Sequence, residues 1–162
     1  MVVLRGTRKL LTRLQTRPEA EPGRSTTMLG DWYADILFTD RQNVLLCISE
    51  HARLPIVISA RDLGTFPSRL AAALAAVLTE LSIPRPLVER ELDGMTTAQF
   101  ATTASRSLLG TMNDYAIAVT WALAEEPGLS LHRLSVRLAD TPVGPMQGAR
   151  AVDVAYGRLV AT

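Results

Sequence analysis

Hydrophobic residues recur at every second position between 31 and 40, in the sequence DWYADILFTD. In an extended chain, Trp32 and Ile36 fall on one face, and Tyr33 and Asp35 fall on the other. Such alternation is typical of a β-strand with one buried face. We therefore expect a strand in this segment, with Trp32 in the core.

Short aliphatic segments on both sides of this strand predict further strands. VVLRG at 2–6 precedes it, and residues 44–50 and 54–60 follow it after brief polar turns. Consecutive strands joined by short turns are typical of an antiparallel meander. Residues 96–104 predict a weaker strand. The segment 129–140 is ambiguous and favours a strand that returns to the sheet.

Helical periodicity dominates the second half of the chain. Apolar residues at spacings of three and four predict helices at 65–83, at 86–94 and from Ser107 to about 126, beside a short helix at 8–14 capped by Thr7. The predicted buried stripe of the third long helix contains Leu109, Met112, Ala116, Val119 and Leu123. Strands first and helices later predict an α+β fold, with about three helices on one face of a mostly antiparallel sheet.

Length and composition favour a single domain spanning 1–162. The chain is 48% hydrophobic and 20% charged, which is ordinary for a folded protein. Residues 16–27 predict a mobile loop, and residues 141–162 predict a loosely attached tail. No apolar run approaches the roughly 18 residues of a membrane span, and no signal peptide is recognisable. We therefore expect a cytoplasmic protein that does not bind membranes.

The net charge of +1 gives no general attraction to nucleic acid. Basic residues nevertheless concentrate near the N-terminus, where they form a weak candidate surface for nucleic-acid phosphates. This surface contains Arg5, Arg8, Lys9 and Arg13. Ordinary solvated charge is the alternative interpretation.

Common catalytic signatures are missing from the sequence. It contains no glycine-rich phosphate loop, dinucleotide-binding glycine motif, H-E-x-x-H or G-x-S-x-G. His51 and His132 have no second ligand at a recognised spacing, so neither a metal site nor a cofactor is predicted. Cys47 is the single cysteine, which excludes an intrachain disulfide.

The densest polar cluster lies in the predicted third helix, in SRSLLGTMNDYA. Gly110, Asn113 and Asp114 share one side of that helix, with Arg106 just before its first turn and Ser107 at its start. A glycine inside a helix costs about 1 kcal/mol relative to alanine and usually marks a close approach. A guanidinium suits a carboxylate or a phosphate. The cluster therefore predicts either a ligand-binding site or an internal polar brace.

A second polar stretch, LGDWYAD, supplies possible partners for this cluster. Asp31 could pair with Arg106, while Tyr33 and Asp35 offer a hydroxyl and a carboxylate. We expect GDWY and RSLLGTMND to meet in space, with Gly110 at the contact. The candidate ligand-binding set combines both stretches: Asp31, Tyr33, Asp35, Arg106, Ser107, Gly110, Asn113 and Asp114.

With these motifs assembled, the chain resembles a family of small bacterial and archaeal proteins of uncharacterised function. The resemblance spans about positions 4 to 146 and is strongest in TRKLLTRL, LGDWYADILF, SRSLLGTMNDYA and LSLHRLSVRLADTPVGP. The family patterns are close to T-x-x-L-L-x-x-L, G-D-W-Y-A-N and T-x-N-R-S-x-L-G-S-M-N-D. Asp35 and Ser105 replace two asparagines of these patterns, and Thr111 replaces a serine. The resemblance implies a standalone domain and supplies no reaction.

Two functional classes remain open. The first is a binding or regulatory module that engages nucleic acid or a protein partner. The alternative is a hydrolase or nuclease acting on a phosphate-containing substrate. In that enzyme Arg106 would hold the anion, and one of the candidate aspartates would act as a general base or bind a divalent metal. A structural subunit of a homo-oligomer is a third possibility.

Overall fold

A computed structural model describes residues 1–142 and 148–161. These residues contain five strands, namely β1 (Val2–Gly6), β2 (Trp32–Phe38), β3 (Asn43–Ser49), β4 (Pro55–Ser59) and β5 (Ala98–Thr102). The strands form one sheet in the order β4-β3-β2-β1-β5. The antiparallel meander is confirmed for β2, β3 and β4. The rest of the sheet differs, because β1 is parallel to both β2 and β5.

The described residues contain six α-helices, where about three were predicted. They are α1 (Arg8–Leu14), α2 (Phe66–Glu80), α3 (Arg85–Asp93), α4 (Arg106–Glu125), α5 (Leu131–Ala139) and α6 (Ala151–Val160). The α+β class is confirmed, but the helices do not share one face of the sheet. Parallel neighbours require long crossover connections. The chain makes one such crossover between β1 and β2, and a second long connection carries it from β4 at one edge of the sheet to β5 at the other.

Each face of the sheet supports its own hydrophobic core. Trp32 and Ile36 point into the larger core, which they share with residues of α2, α3 and α6. Tyr33 points to the opposite face, into a core shared with α4 and α5. The alternation along β2 therefore predicts the two directions correctly, but both faces are covered. In the described part of the chain, no helix combines the length and hydrophobicity needed to cross a bilayer.

The segment predicted as a returning strand at 129–140 is helix α5. Its apolar residues fit both a period of two and a helical period, so the pattern alone did not distinguish them. The Ser130 side chain accepts a hydrogen bond from the backbone N–H of Arg133 and caps the helix. Leu134 and Leu138 are then buried one turn apart.

The loose attachment predicted for 141–162 is wrong for residues 151–160. These form α6, in which Ala151, Ala155 and Leu159 are fully buried. Their spacing of four places them on one side of the helix. Residues 143–147 and 162, which also belong to the predicted tail, lie outside the described residues.

The segment 16–27 has no helix or strand, as expected of a loop, yet it is hydrogen-bonded to the edge of the sheet. The Glu19 N–H donates to the Phe100 carbonyl at 2.7 Å. The Gly23 N–H donates to the Gln99 side chain at 2.8 Å. The mobility of this loop stays a prediction. These two hydrogen bonds would restrict it.

Leu74 lies fully buried in α2, facing the larger core. Replacing Leu74 with alanine is expected to lower the free energy of unfolding by about 2–5 kcal/mol, because the truncation leaves a cavity. Chemical denaturation measures the effect. Ala76→Ser, at an exposed position of α2, is the matched control and should change stability by less than about 0.5 kcal/mol. Equal midpoints for the Leu74 variant and the wild type would contradict the packing of α2.

Candidate functional site

Gly30 begins the GDWY segment in a conformation that other residues rarely adopt. Its φ is +80°, in the left-handed region. A Cβ at this position would lie 2.6 Å from Glu50 Oε2 and 2.8 Å from the His51 ring. Glycine is therefore required both by the backbone and by the close approach of the β3–β4 turn.

A buried carboxylate fixes the turn that leads to Gly30. Glu91, on α3, is 1% exposed and accepts hydrogen bonds from the backbone N–H groups of Met28 at 2.7 Å and Leu29 at 3.1 Å. Burial raises the pKa of Glu91, and the two backbone hydrogen bonds oppose that shift. Sequence reasoning missed this residue. The one feature of the sequence that could have predicted its burial is its position three residues after Val88, on the buried side of α3.

Asp31 pairs with Arg5, and not with Arg106 as the brace interpretation suggested. The Asp31 carboxylate accepts hydrogen bonds from Arg5 Nε at 2.6 Å and from the Ser25 hydroxyl at 2.7 Å. Arg5 also donates to the Thr102 carbonyl at 2.9 Å. This ion pair joins the start of β2 to β1, and the nucleic-acid contact of Arg5 stays a prediction.

Tyr33 lies beside this ion pair, almost fully buried on the α4 side of the sheet. Burial raises the pKa of its hydroxyl, while the nearby Arg5 guanidinium lowers it. Asp31 also lines a polar cavity of about 490 Å³. Acidic and basic groups are mixed in its lining, which includes Arg5, Arg24, Asp31, Glu50 and His51.

Asp35 holds the start of α1. Its carboxylate accepts a hydrogen bond from the Thr7 hydroxyl at 2.5 Å and lies 3.7 Å from Lys9 Nζ. Lys9 and Arg13 also stack over the ring of Phe38, at 5.4 and 4.8 Å from its centroid. These two cations of the predicted basic surface are therefore engaged locally.

The polar cluster of α4 faces solvent. Arg106, Ser107, Gly110, Asn113 and Asp114 are all exposed. A Cβ on Gly110 would meet nothing within 4 Å, so the predicted contact of Gly110 with GDWY is wrong. The buried stripe is rotated from the predicted one and contains Leu108, Thr111, Met112, Tyr115, Val119, Ala122 and Leu123. Thr111 and Tyr115 occupy core positions that a purely apolar pattern does not assign to them.

Arg53 connects α4 to the sheet in place of the expected contact. In the β3–β4 turn, its guanidinium donates to the Ser107 carbonyl at 3.0 Å, to the Ser107 hydroxyl at 2.7 Å and to the Thr111 hydroxyl. The Tyr115 hydroxyl donates in return to the Arg53 carbonyl at 3.2 Å, and burial raises the pKa of Tyr115 to about 12. Ser107 thus belongs to a structural brace, whereas its exposed neighbours do not.

A cavity of about 610 Å³ lies where the carboxyl ends of β1 and β5 meet the end of α1. Its polar lining consists of Arg8, Thr12, Gln15, Thr16, Arg17, Thr102 and Thr103. No residue of the lining, all of which the structure describes, is acidic. Arg8 was among the candidates predicted from the sequence. The other lining residues were missed; they come from the same segment, 6–18, and from residues 102 and 103, which are distant from it in the chain.

The described residues contain no group of three histidine, cysteine, aspartate or glutamate side chains placed to hold a metal ion. Asp31 and Asp35 are four residues apart in extended chain, which separates them by about 13 Å. Asp114 lies elsewhere, beside a small cavity between α4 and α5. The three candidate aspartates are therefore not brought together.

The fold is that of an α+β protein with a mixed five-stranded sheet in its described residues. A family model for a domain of unknown function, DUF6933, matches residues 3–152, and the chain belongs to this family. The resemblance noted in the sequence is thereby confirmed. No curated protein and no solved structure was found to match the chain.

At the three positions where the sequence departs from the patterns expected of the family, the side chain accepts a hydrogen bond through an oxygen. Asp35 accepts from Thr7, Ser105 caps α4 by accepting from the Leu108 N–H at 3.2 Å, and Thr111 accepts from Arg53. Asparagine or serine can supply the same acceptor. Each of the three side chains therefore has a hydrogen-bonding partner within the chain.

Glu91 gives a prediction that links burial to pH. Glu91→Gln should lower the free energy of unfolding by about 1–3 kcal/mol, because an amide nitrogen cannot accept from a backbone N–H. Burial raises the pKa of Glu91 in the folded state, so the folded chain binds this proton more tightly than the unfolded chain. The advantage of the wild type over the variant should therefore shrink as the pH rises above about 4.5.

Urea denaturation of both proteins at about pH 4 and about pH 7 measures this difference. Glu89→Gln, at an exposed position of α3, is the control and should show little change in stability. The same wild-type advantage at both pH values would contradict a raised pKa for Glu91.

Proposed function

We propose that this protein is a binding module for a phosphate-bearing ligand, which it holds in the cavity at the carboxyl ends of β1 and β5. One observation supports this proposal above the others. The cavity combines two guanidinium groups and four threonine hydroxyls with no acidic residue in its lining.

Arg8 and Arg17 supply the positive charge. Both are exposed, and within the described residues neither side chain forms an ion pair or a hydrogen bond. Two unpaired guanidiniums beside one concave surface repel each other, and a phosphate relieves that repulsion by accepting charge-assisted hydrogen bonds from both. By contrast, Arg5 is already neutralised by Asp31.

Hydroxyl groups complete the recognition of an anion. Thr102 and Thr103 lie at the end of β5, where their hydroxyls can donate to a ligand. On the α1 side of the cavity, the hydroxyls of Thr12 and Thr16 already donate to the carbonyls of Arg8 and Leu14. Threonine hydroxyls donate hydrogen bonds to phosphate oxygens. A cavity of about 610 Å³ is of the size that small ligands occupy. It therefore suits one phosphorylated group, such as a nucleotide, free or at the end of a chain.

The position of the cavity in the fold also favours a ligand site. The strands β1 and β5 run side by side in the same direction, and both end at the cavity. Beyond it, α1 contributes to the core on one face of the sheet and α4 to the core on the other. In sheets of parallel strands, such a divergence opens a crevice that ligands commonly occupy.

The geometry gives less support to a hydrolase or nuclease. That function requires Asp31, Asp35 or Asp114 beside a bound phosphate as a base or a metal ligand. None of the three lines this cavity, and Arg106 does not line it either. We therefore propose binding without hydrolysis.

Arg8→Ala and Arg17→Ala should each weaken binding about 10- to 100-fold, since each removes a charge-assisted hydrogen bond. Isothermal titration with inorganic phosphate, a nucleoside monophosphate and a short single-stranded oligonucleotide measures the affinity and identifies the source of the phosphate. Affinity should also fall as salt is added. Arg13→Ala, on the same helix but stacked on Phe38, is the matched control and should bind as the wild type does.

Two results would overturn this proposal. One is that none of the three ligands binds at concentrations up to about 10 mM. The free energy of binding would then be weaker than about 3 kcal/mol. The other is binding that Arg8→Ala and Arg17→Ala leave unchanged, which would move the ligand to another site.

A further inference from the structure

The outward face of α4 carries apolar residues that the fold leaves uncovered. Ile117 is 71% exposed and Trp121 is 64% exposed. Gly110 and Asn113 lie on the same side of the helix, because they precede Ile117 by seven and four residues. Large exposed side chains on one helix face are typical of an interaction surface.

The polar residues of this face are arranged symmetrically about Gly110. Arg106 lies four residues before Gly110, and Asp114 lies four residues after it. Ser107 and Asn113 lie three residues before and after it. The segment thus has a cation at one end, an anion at the other and a glycine at the centre.

We propose that this face of α4 binds the same face of a second copy of the chain, with the two helices antiparallel and crossing at Gly110. A two-fold axis at the crossing brings residues at equal distances before and after Gly110 together. Arg106 then faces Asp114 of the second copy, and Asp114 faces Arg106 of the second copy. Ser107 meets Asn113 of the second copy in the same way; its hydroxyl, which already accepts from Arg53, can still donate to the asparagine side chain.

The charges find no such partners within one chain. Arg106 and Asp114 form no ion pair with any of the described residues. They cannot pair with each other, because eight residues of helix separate them by about 12 Å. A second copy of the helix running in the opposite direction satisfies both charges at once, which a partner of one charge does not.

Gly110 supports the same arrangement. Glycine is unfavourable in the interior of a helix, and a Cβ here would meet nothing within 4 Å in the single chain. The fold of one chain therefore does not require it. Two helix backbones that cross at this position can approach closely only where no side chain separates them.

The apolar residues extend the contact beyond the crossing. Ile117 and Trp121 lie about 10 Å and about 16 Å along the helix from Gly110. The second copy's α4 begins about 6 Å from the crossing on that side, so these residues reach past its start and over the segment that precedes it. A single helix face is smaller than the roughly 800 Å² per partner of a standard interface. We therefore expect a weak dimer, with a dissociation constant of about 10–100 µM.

Sedimentation velocity at protein concentrations from about 5 to 200 µM should show the wild type changing from monomer to dimer. This range includes the expected dissociation constant. Arg106→Asp and Asp114→Arg should each weaken the dimer at least about tenfold, since like charges then face each other. The double variant restores two opposite-charge pairs and should dimerise again. Arg61→Asp, a charge reversal at an exposed position outside α4, should dimerise as the wild type does.

Gly110→Ala separates association from folding. Alanine favours the helix and meets no neighbour, so thermal stability at low concentration should be unchanged or higher. Dimerisation should nevertheless fall, because the added methyl groups separate the helices. Circular dichroism confirms that each variant is folded.

A wild type that stays monomeric to about 200 µM would overturn the proposal and would leave this face to a different protein or to none. Dimerisation retained by the single charge reversals, or not restored in a folded double variant, would overturn it as well. Phosphate binding does not enter these measurements, so the dimer and the proposed ligand site can fail independently.

Discussion

The strand β1 is hydrogen-bonded on both sides to strands that run in its own direction. This pairing constrains much of the remaining fold, because parallel neighbours cannot be joined by a tight turn. The chain must leave the sheet after β1 and return to start β2, and it must leave again after β4 to reach β5. The residues of these two crossovers include α1, α2 and α3, which contribute to the larger core. The carboxyl ends of β1 and β5 consequently lie side by side, which is where the proposed ligand cavity forms.

Holding β1 against β2 requires polar contacts at the start of β2, and the GDWY segment supplies them. The Glu91 carboxylate fixes the turn before the strand, Gly30 allows the close approach of Glu50, and Asp31 accepts from Arg5 of β1. Removing Glu91 as an acceptor would leave the buried N–H of Leu29 and the partly buried N–H of Met28 without partners, which is costly. The polar residues of this motif therefore have partners within the chain, and ligand binding by the same residues stays a prediction.

Local patterns predicted the elements well and the long-range arrangement poorly. The meander β2–β4 was predictable because alternation and short turns are both local signals. The parallel pairing of β1 was not, because nothing in residues 2–6 records which strands lie beside them. The strand prediction for the α5 segment was wrong because the spacing of its apolar residues fits both a strand and a helix. The helix cap at Ser130 distinguishes the two. Among the residues that line the candidate cavity, Arg8 was predicted from its charge. Thr102 and Thr103 could not be predicted, because they join the cavity only when β5 lies next to β1.

The RSLLGTMND segment shows why one motif supported two interpretations that could not be separated in the sequence. A helix presents neighbouring residues to different sides, so a polar cluster can divide between the interior and the surface. Ser107 and Thr111 accept from Arg53 and fasten α4 to the sheet. Arg106 and Asp114 point to solvent, where the fold of one chain assigns them no partner. A brace and the proposed interaction surface therefore lie on one helix. Variants on the inner side should affect folding, and variants on the outer side should affect association alone.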